Sequence, residues 1–93
     1  MTPYYLEQAL EEFAAMRRVV HQTHEVLSQM VKHQKTRLAE KEHHALNEAL
    51  AYLSQARQGF SMSVRAVDVT SYDEMAYLLD RAIFDWKALE SWG

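Results

Sequence analysis

The residues best suited to chemistry in this sequence are its histidines and the carboxylates near them. Five His occur in 93 residues, and four of them fall in two short groups, namely His21 with His24 and His43 with His44. Glu40-x-x-His43 adds a carboxylate one helical turn before the second group. Imidazole and carboxylate groups are common ligands of zinc and other divalent metals. A metal-binding helical module that uses these four histidines is therefore one hypothesis for the function.

The same residues fall short of an established metal-site pattern. A di-iron carboxylate bundle needs two Glu-x-x-His motifs and two further inward-facing Glu, and this sequence has one such motif. The chain has no Cys, which excludes thiolate sites and disulfides. Solvated or capping histidines are the more common explanation of such a pattern. We therefore predict no bound metal and no cofactor.

No arrangement of residues in the sequence is typical of an active site. There is no Gly-rich phosphate loop, no nucleophile elbow and no Cys nucleophile. Ser61 and Ser63 lack an identifiable base with an orienting acid. His21 and Glu25 are spaced i, i+4, which on a helix surface is typical of an ordinary ion pair. We expect a protein that is not an enzyme.

A basic stretch in the middle of the chain suggests another class of ligand. Residues 32–65 carry six Lys or Arg and three acids, whereas the whole chain has a net charge of −3. The basic residues at the start of this stretch are Lys32, Lys35, Arg37 and Lys41. A basic patch can bind nucleic acid, so a nucleic-acid-associated regulator is an alternative function. Solvated helix faces explain the same charges, and nucleic acid is not the partner we expect.

The composition predicts that these residues are carried on helices. The chain has only two Gly and one Pro, and Ala, Leu, Glu and Gln are plentiful. Its length suits a single domain over residues 1–93. The N-terminus lacks the features of a secretory signal, and no apolar run approaches the roughly 18 residues of a membrane span. We predict one all-α domain, located in the cytoplasm and without a membrane partner.

The first predicted helix runs from Pro3 to about Val31 and organises the rest of the chain. Apolar residues recur along it at alternating steps of three and four, which places them on one stripe. The phase of this seam changes after residue 32, because a new seam begins at Ala39 and continues to Phe60. We expect a turn near residues 33–36, with Thr36 as a helix cap, and an antiparallel hairpin of two helices.

One continuous helix over residues 3–58 is the competing interpretation. Apolar residues at eleven-residue intervals would keep one face along such a helix; they are Met16, Leu27, Leu38, Ala49 and Phe60. A single rod cannot cover its own apolar stripe, so this interpretation requires a coiled-coil-like dimer. We favour the hairpin because of the change of phase.

The remainder of the chain predicts a connector and a third helix. Gly59 should end the second helix as a left-handed cap. The alternation in FSMSVRAVDV predicts an extended connector over residues 60–69, with a short helical turn as the alternative. Ser71 and Glu74 form a capping box, which starts a third helix at Tyr72 that runs to about Ser91. The predicted architecture is therefore a three-helix protein.

The third predicted helix is apolar on two faces. Its core stripe is formed by residues such as Met75, Leu79 and Trp86, and the opposite edge consists of Tyr77, Arg81, Phe84 and Trp92. Aromatic residues and Arg are enriched at protein interfaces. We therefore predict a small protein–protein interaction module that binds another protein, itself as a homodimer, or both. Regulators, inhibitors, immunity proteins and chaperones act in this way.

Overall fold

Four helices account for almost all of the residues that the structure describes. A computed structural model describes residues 4–33, 38–60 and 62–92, with the side chain of Trp92 excepted. The helices are α1 (Tyr4–Lys32), α2 (Glu40–Gly59), α3 (Met62–Val67) and α4 (Val69–Trp92), and no strand occurs within these ranges. The all-α prediction is confirmed. The proposed helix start at Thr2-Pro3 lies outside the described residues.

The first two predicted helices are separate, as the change of seam indicated. α1 ends at Lys32 and α2 begins at Glu40, after Ala39 in an extended conformation (φ −61°, ψ 147°). The N-terminal half of α1 and the C-terminal half of α2 meet where the Phe13 and Phe60 rings lie edge to face at 5.6 Å. This confirms the hairpin and excludes a continuous helix over residues 3–58. Residues 34–37, including the predicted cap Thr36, lie outside the described ranges.

α4 is the central element of the fold, since both α1 and α2 pack against it. Arg57 and His43 of α2 pair with Asp80 and Glu90 of α4, respectively. The order of these pairs shows that α2 runs antiparallel to α4. Because α2 is also antiparallel to α1, the two longest helices run parallel to each other.

The hydrophobic core lies mainly between α1 and α4. Val20 and Leu27 of α1 are fully buried, as are Met75 and Leu79 of α4. α2 adds Leu50 and Leu53, and α3 adds Val64. Burying a side chain of this size contributes about 1.5–3 kcal/mol. The predicted core stripes of the first and third helices are therefore the ones that stabilise the fold.

The predicted extended connector is wrong, because Met62–Val67 forms the short helix α3. Alternating apolar residues resemble a strand, but a single strand would leave its backbone groups without partners. A helix satisfies those groups internally. Val64, at 1% exposed, then reaches the core from α3. The described ranges therefore contain four helices rather than the predicted three.

The predicted capping box is also wrong, because α4 begins at Val69 and Asp68 is its cap. The Ser71 backbone N–H donates to Asp68 Oδ1 at 3.0 Å, and the Ser71 hydroxyl donates to Asp68 Oδ2 at 2.6 Å. Glu74 instead lies 3.6 Å from His21. An Asp at the N-cap satisfies a free N–H of the first turn, as Ser71 was expected to do.

The second helix does end at Gly59, but without the predicted left-handed cap. Gly59 does not adopt a left-handed φ, and Phe60 follows in an extended conformation (φ −75°, ψ 134°). The Phe60 N–H donates to the Arg57 carbonyl at 3.4 Å. Packing of the Phe60 ring against Phe13 therefore marks the end of α2, and the conformational freedom of Gly59 is not used.

Candidate interaction surfaces

The outward face of α4 carries exposed aromatic side chains. Tyr77 is 66% exposed and Phe84 is 61% exposed, whereas Leu79 and Trp86 on the opposite side are buried. Arg81 lies between the two aromatic residues on the same exposed face. The fourth residue of the predicted edge, Trp92, is helical, and its side chain lies outside the described part of the structure. We call Tyr77, Arg81 and Phe84 the α4 face.

Arg81 is held in place by its neighbours on α4. Its guanidinium carbon lies 5.1 Å from the centroid of the Phe84 ring, within the range of a cation–π contact. Its Nε lies 3.7 Å from Asp85 Oδ1. Asp85 is only 4% exposed, and a buried carboxylate needs a charged or hydrogen-bonding partner. Sequence reasoning missed Asp85, although its i, i+4 spacing from Arg81 indicates such a pair.

A second apolar surface lies between α1 and α2. The two helices line a groove of about 680 Å³, whose apolar walls include Val19 and Tyr52. Val19 is 44% exposed and Tyr52 is 70% exposed. Val26, further along α1, is 51% exposed. The apolar face of α1 is therefore wider than the surface that the other helices cover.

The histidines are distributed over the molecule, and three of them pair with separate carboxylates. His21 lies 3.6 Å from Glu74, and His44 lies 3.1 Å from Glu48. His43 lies against α4, 3.5 Å from Glu90 and with its ring centroid 4.7 Å from that of Trp86. Residues 4–33, 38–60 and 62–92 contain no group of three or more possible metal ligands.

The fourth histidine and the basic stretch are described in part. His24 is half-buried on α1. Lys32 and Lys41 are exposed where α1 ends and α2 begins, while Lys35 and Arg37 lie outside the described residues. Lys32 in the last turn of α1 has a local role as well, because a positive charge there interacts favourably with the helix dipole.

Ser63, which was considered as a nucleophile, is exposed on α3, and Ser61 lies outside the described residues. None of the helices in the described ranges is both long enough and apolar enough to cross a membrane.

Comparisons of the chain with family models, with curated proteins and with solved structures found no match.

Proposed function

We propose that this protein is a small non-enzymatic binding module that uses the α4 face to contact another protein or a second copy of itself. The observation that supports this most directly is the pair of exposed aromatic rings, Tyr77 and Phe84, on either side of Arg81. Tyr and Arg are enriched among the residues that dominate binding energy at interfaces. Trp92 is included in the proposed surface from its position in the sequence.

The α4 face is suited to binding because its residues are already ordered. α4 packs against α1 and α2 on the side opposite this face, so little backbone entropy is lost when a partner binds. Arg81 is restrained by the Phe84 ring and by the Asp85 carboxylate. A side chain that is fixed before binding avoids a cost of about 0.5–1.5 kcal/mol on association.

The proposed role is occupation of a partner's surface, as in a regulator, an inhibitor, an immunity protein or a chaperone acting in the cytoplasm. None of these roles requires a catalytic group. Homodimerisation through the same face would cover the two rings in the absence of another protein.

The test uses the double variant Tyr77→Ala/Phe84→Ala in the full-length chain. A photo-crosslinking residue at Ala88, one helical turn after Phe84, identifies what the α4 face touches in cells, and sedimentation equilibrium measures self-association. We expect the double variant to weaken the identified contact at least about tenfold, which corresponds to roughly 1.4 kcal/mol. Its helicity and melting temperature should stay close to those of the wild type, because both side chains are exposed.

Met62→Ala is the matched control, since Met62 is 75% exposed but lies on α3. It should leave both the crosslinked partner and the self-association unchanged. If the double variant keeps full partner binding and full self-association, the α4 face is not the binding surface and the proposal fails.

A further inference from the structure

Two concavities follow one another along the surface of α1, and together we call them the trough. The groove between α1 and α2 begins at Ala9, and a second concavity of about 530 Å³ continues along α1 from Gln22 to His33. Val19, Gln22 and Val26 follow one another at steps of three and four, so both concavities lie on one face of α1. From Ala9 to His33 this face is about 36 Å long at 1.5 Å per residue.

The lining of the trough allows a helix to approach closely. Small side chains form much of the first concavity, including Ala9, Ala15, Ala56 and Gly59. A Cβ atom placed on Gly59 would meet nothing within 4 Å. α1, α2 and α4 therefore leave one position open in a four-helix arrangement. An amphipathic helix that buries its apolar face is a common occupant of such a groove.

The charge of the trough indicates which helix would fit. Glu12 lines the first concavity and Glu25 lines the second, while no Lys or Arg occurs among the described lining residues. Neither Glu12 nor Glu25 forms an ion pair with another residue in the described ranges. The two carboxylates are about 20 Å apart along α1, since 13 positions separate them, and they lie on opposite flanks of the trough, since the same 13 positions leave them about 140° apart around the helix axis.

We propose that the trough binds one amphipathic helix of another protein, with an apolar ridge and two basic residues about 13 positions apart. The ridge would contact Val19, Val26 and Tyr52, and the basic residues would face Glu12 and Glu25. Opposite charges at matched positions fix the register and direction of the bound helix. This surface lies on α1 and α2 and is independent of the α4 face.

A second copy of the chain is a poor occupant of the same trough. Two copies joined trough to trough would place four carboxylates, Glu12 and Glu25 of each copy, at one interface. Like charges placed opposite each other cost several kcal/mol at an interface. Neither copy would supply a basic residue from the lining that has been described.

The test uses two synthetic peptides and the full-length protein. Both peptides are helices of roughly 21 residues with the same Leu ridge; one carries two Lys about 13 positions apart, and the other carries Glu at those positions. Affinities are measured by fluorescence anisotropy, and the binding surface is mapped by amide chemical shifts. We expect the Lys peptide to bind at least about tenfold more tightly than the Glu peptide.

Three variants locate the binding and identify its cause. Glu12→Lys/Glu25→Lys should reverse the preference, so that the Glu peptide becomes the tighter ligand. Ala15→Trp should block both peptides, because it fills the first concavity. Ala51→Trp is the matched control, since Ala51 is exposed on α2 and does not line the trough. It should bind as the wild type does.

The outcomes separate this proposal from the proposed function of the α4 face. Tyr77→Ala/Phe84→Ala should not change binding of the Lys peptide, whatever its effect on other partners. The proposal is overturned if neither peptide binds, if both bind equally, or if the shifts map to the α4 face. A concentration-dependent doubling of mass that Ala15→Trp abolishes would also overturn it, because a second copy would then occupy the trough.

Discussion

At the scale of single residues, Asp68 shows how one hydrogen-bonded carboxylate fixes the start of a helix. The pKa of Asp68 lies below its ordinary value. The main cause is the hydrogen bond from the Ser71 side chain, and the next is the hydrogen bond from the Ser71 backbone N–H. Both hydrogen bonds favour the ionised carboxylate. The stability that they contribute is therefore fully present above the unfolded-state pKa of about 3.9 and is lost as the pH falls through the folded-state value.

This predicts a pH-dependent difference between Asp68→Ala and the wild type. At pH 6 the variant should unfold at a lower urea concentration, because α4 has lost its cap. The difference in urea midpoint between the variant and the wild type should disappear as the pH falls from about 4 to the lowered pKa of Asp68. The wild type then loses the charged cap as well. Urea titrations monitored by circular dichroism at several pH values measure the gap.

Asp68→Asn is the control for that prediction. Asn also caps helices but carries no charge, so this variant should stay close to the wild type at pH 6 and lack the acid-dependent change. A gap between Asp68→Ala and the wild type that stays constant down to pH 2 would show that the charge of Asp68 does not contribute.

The sequence predicted buried residues correctly where helical periodicity determines which side chains face the core. Leu27, Met75 and Leu79 were predicted in the core and are fully buried. The cap of α4 was missed, because Asp68 and Ser71 are both good N-cap residues and the choice depends on where the preceding segment ends. That segment is α3, whose strand-like alternation concealed it.

At the scale of elements, the helices are attached to the core unequally. α1 and α4 each place several side chains in the core, whereas α2 buries only Leu50 and Leu53 completely among its described residues. The remaining links from α2 to α4 include the partly exposed pairs Arg57–Asp80 and His43–Glu90. Exposed ion pairs contribute about 0–1 kcal/mol each.

Native-state hydrogen exchange should therefore detect α2 opening before α1 and α4. We expect the amides of α2 to exchange through a local opening whose free energy is lower than that of global unfolding. Leu53→Ala should lower this opening energy by about 2–5 kcal/mol, because the side chain is 2% exposed and leaves a cavity. Ala51→Gln is the control for a change on the exposed side of α2, because Gln is nearly as favourable as Ala in a helix.

Equal protection of α2, α1 and α4 in the wild type would contradict this expectation. It would mean that the hairpin and α4 unfold as one cooperative unit. The sequence indicated the weak attachment of α2 to the core only indirectly. The seam of α2 contains Ala49 and Ala56, which are small residues that bury little area. The sequence did not predict that α4 would be the central helix, because that depends on how α4 packs against both α1 and α2.

At the scale of the whole molecule, the parallel alignment of α1 and α4 produces an elongated shape. The principal extents are 51 × 23 × 16 Å, and the radius of gyration over Cα atoms is 14.9 Å. A compact domain of this length would have a radius of gyration of about 12 Å. The exposed surface is therefore large for the size of the core, and both the α4 face and the trough lie along the long axis.

Small-angle scattering can decide which surface is used when the protein associates. A monomer should have a radius of gyration close to 15 Å at low concentration. Side-by-side pairing through the α4 face adds thickness to the shorter axes, so the largest dimension should remain near 50 Å while the mass doubles. End-to-end pairing would instead approach twice that length.

Phe84→Ala gives this measurement its internal control. If the α4 face joins two copies, the variant should return the mass and the radius of gyration to monomer values at the same concentration. A dimer that persists in Phe84→Ala with an unchanged largest dimension would place the self-contact elsewhere along the molecule. The same comparison with Ala15→Trp would then show whether the trough is that surface, because the filled trough cannot accept a second copy.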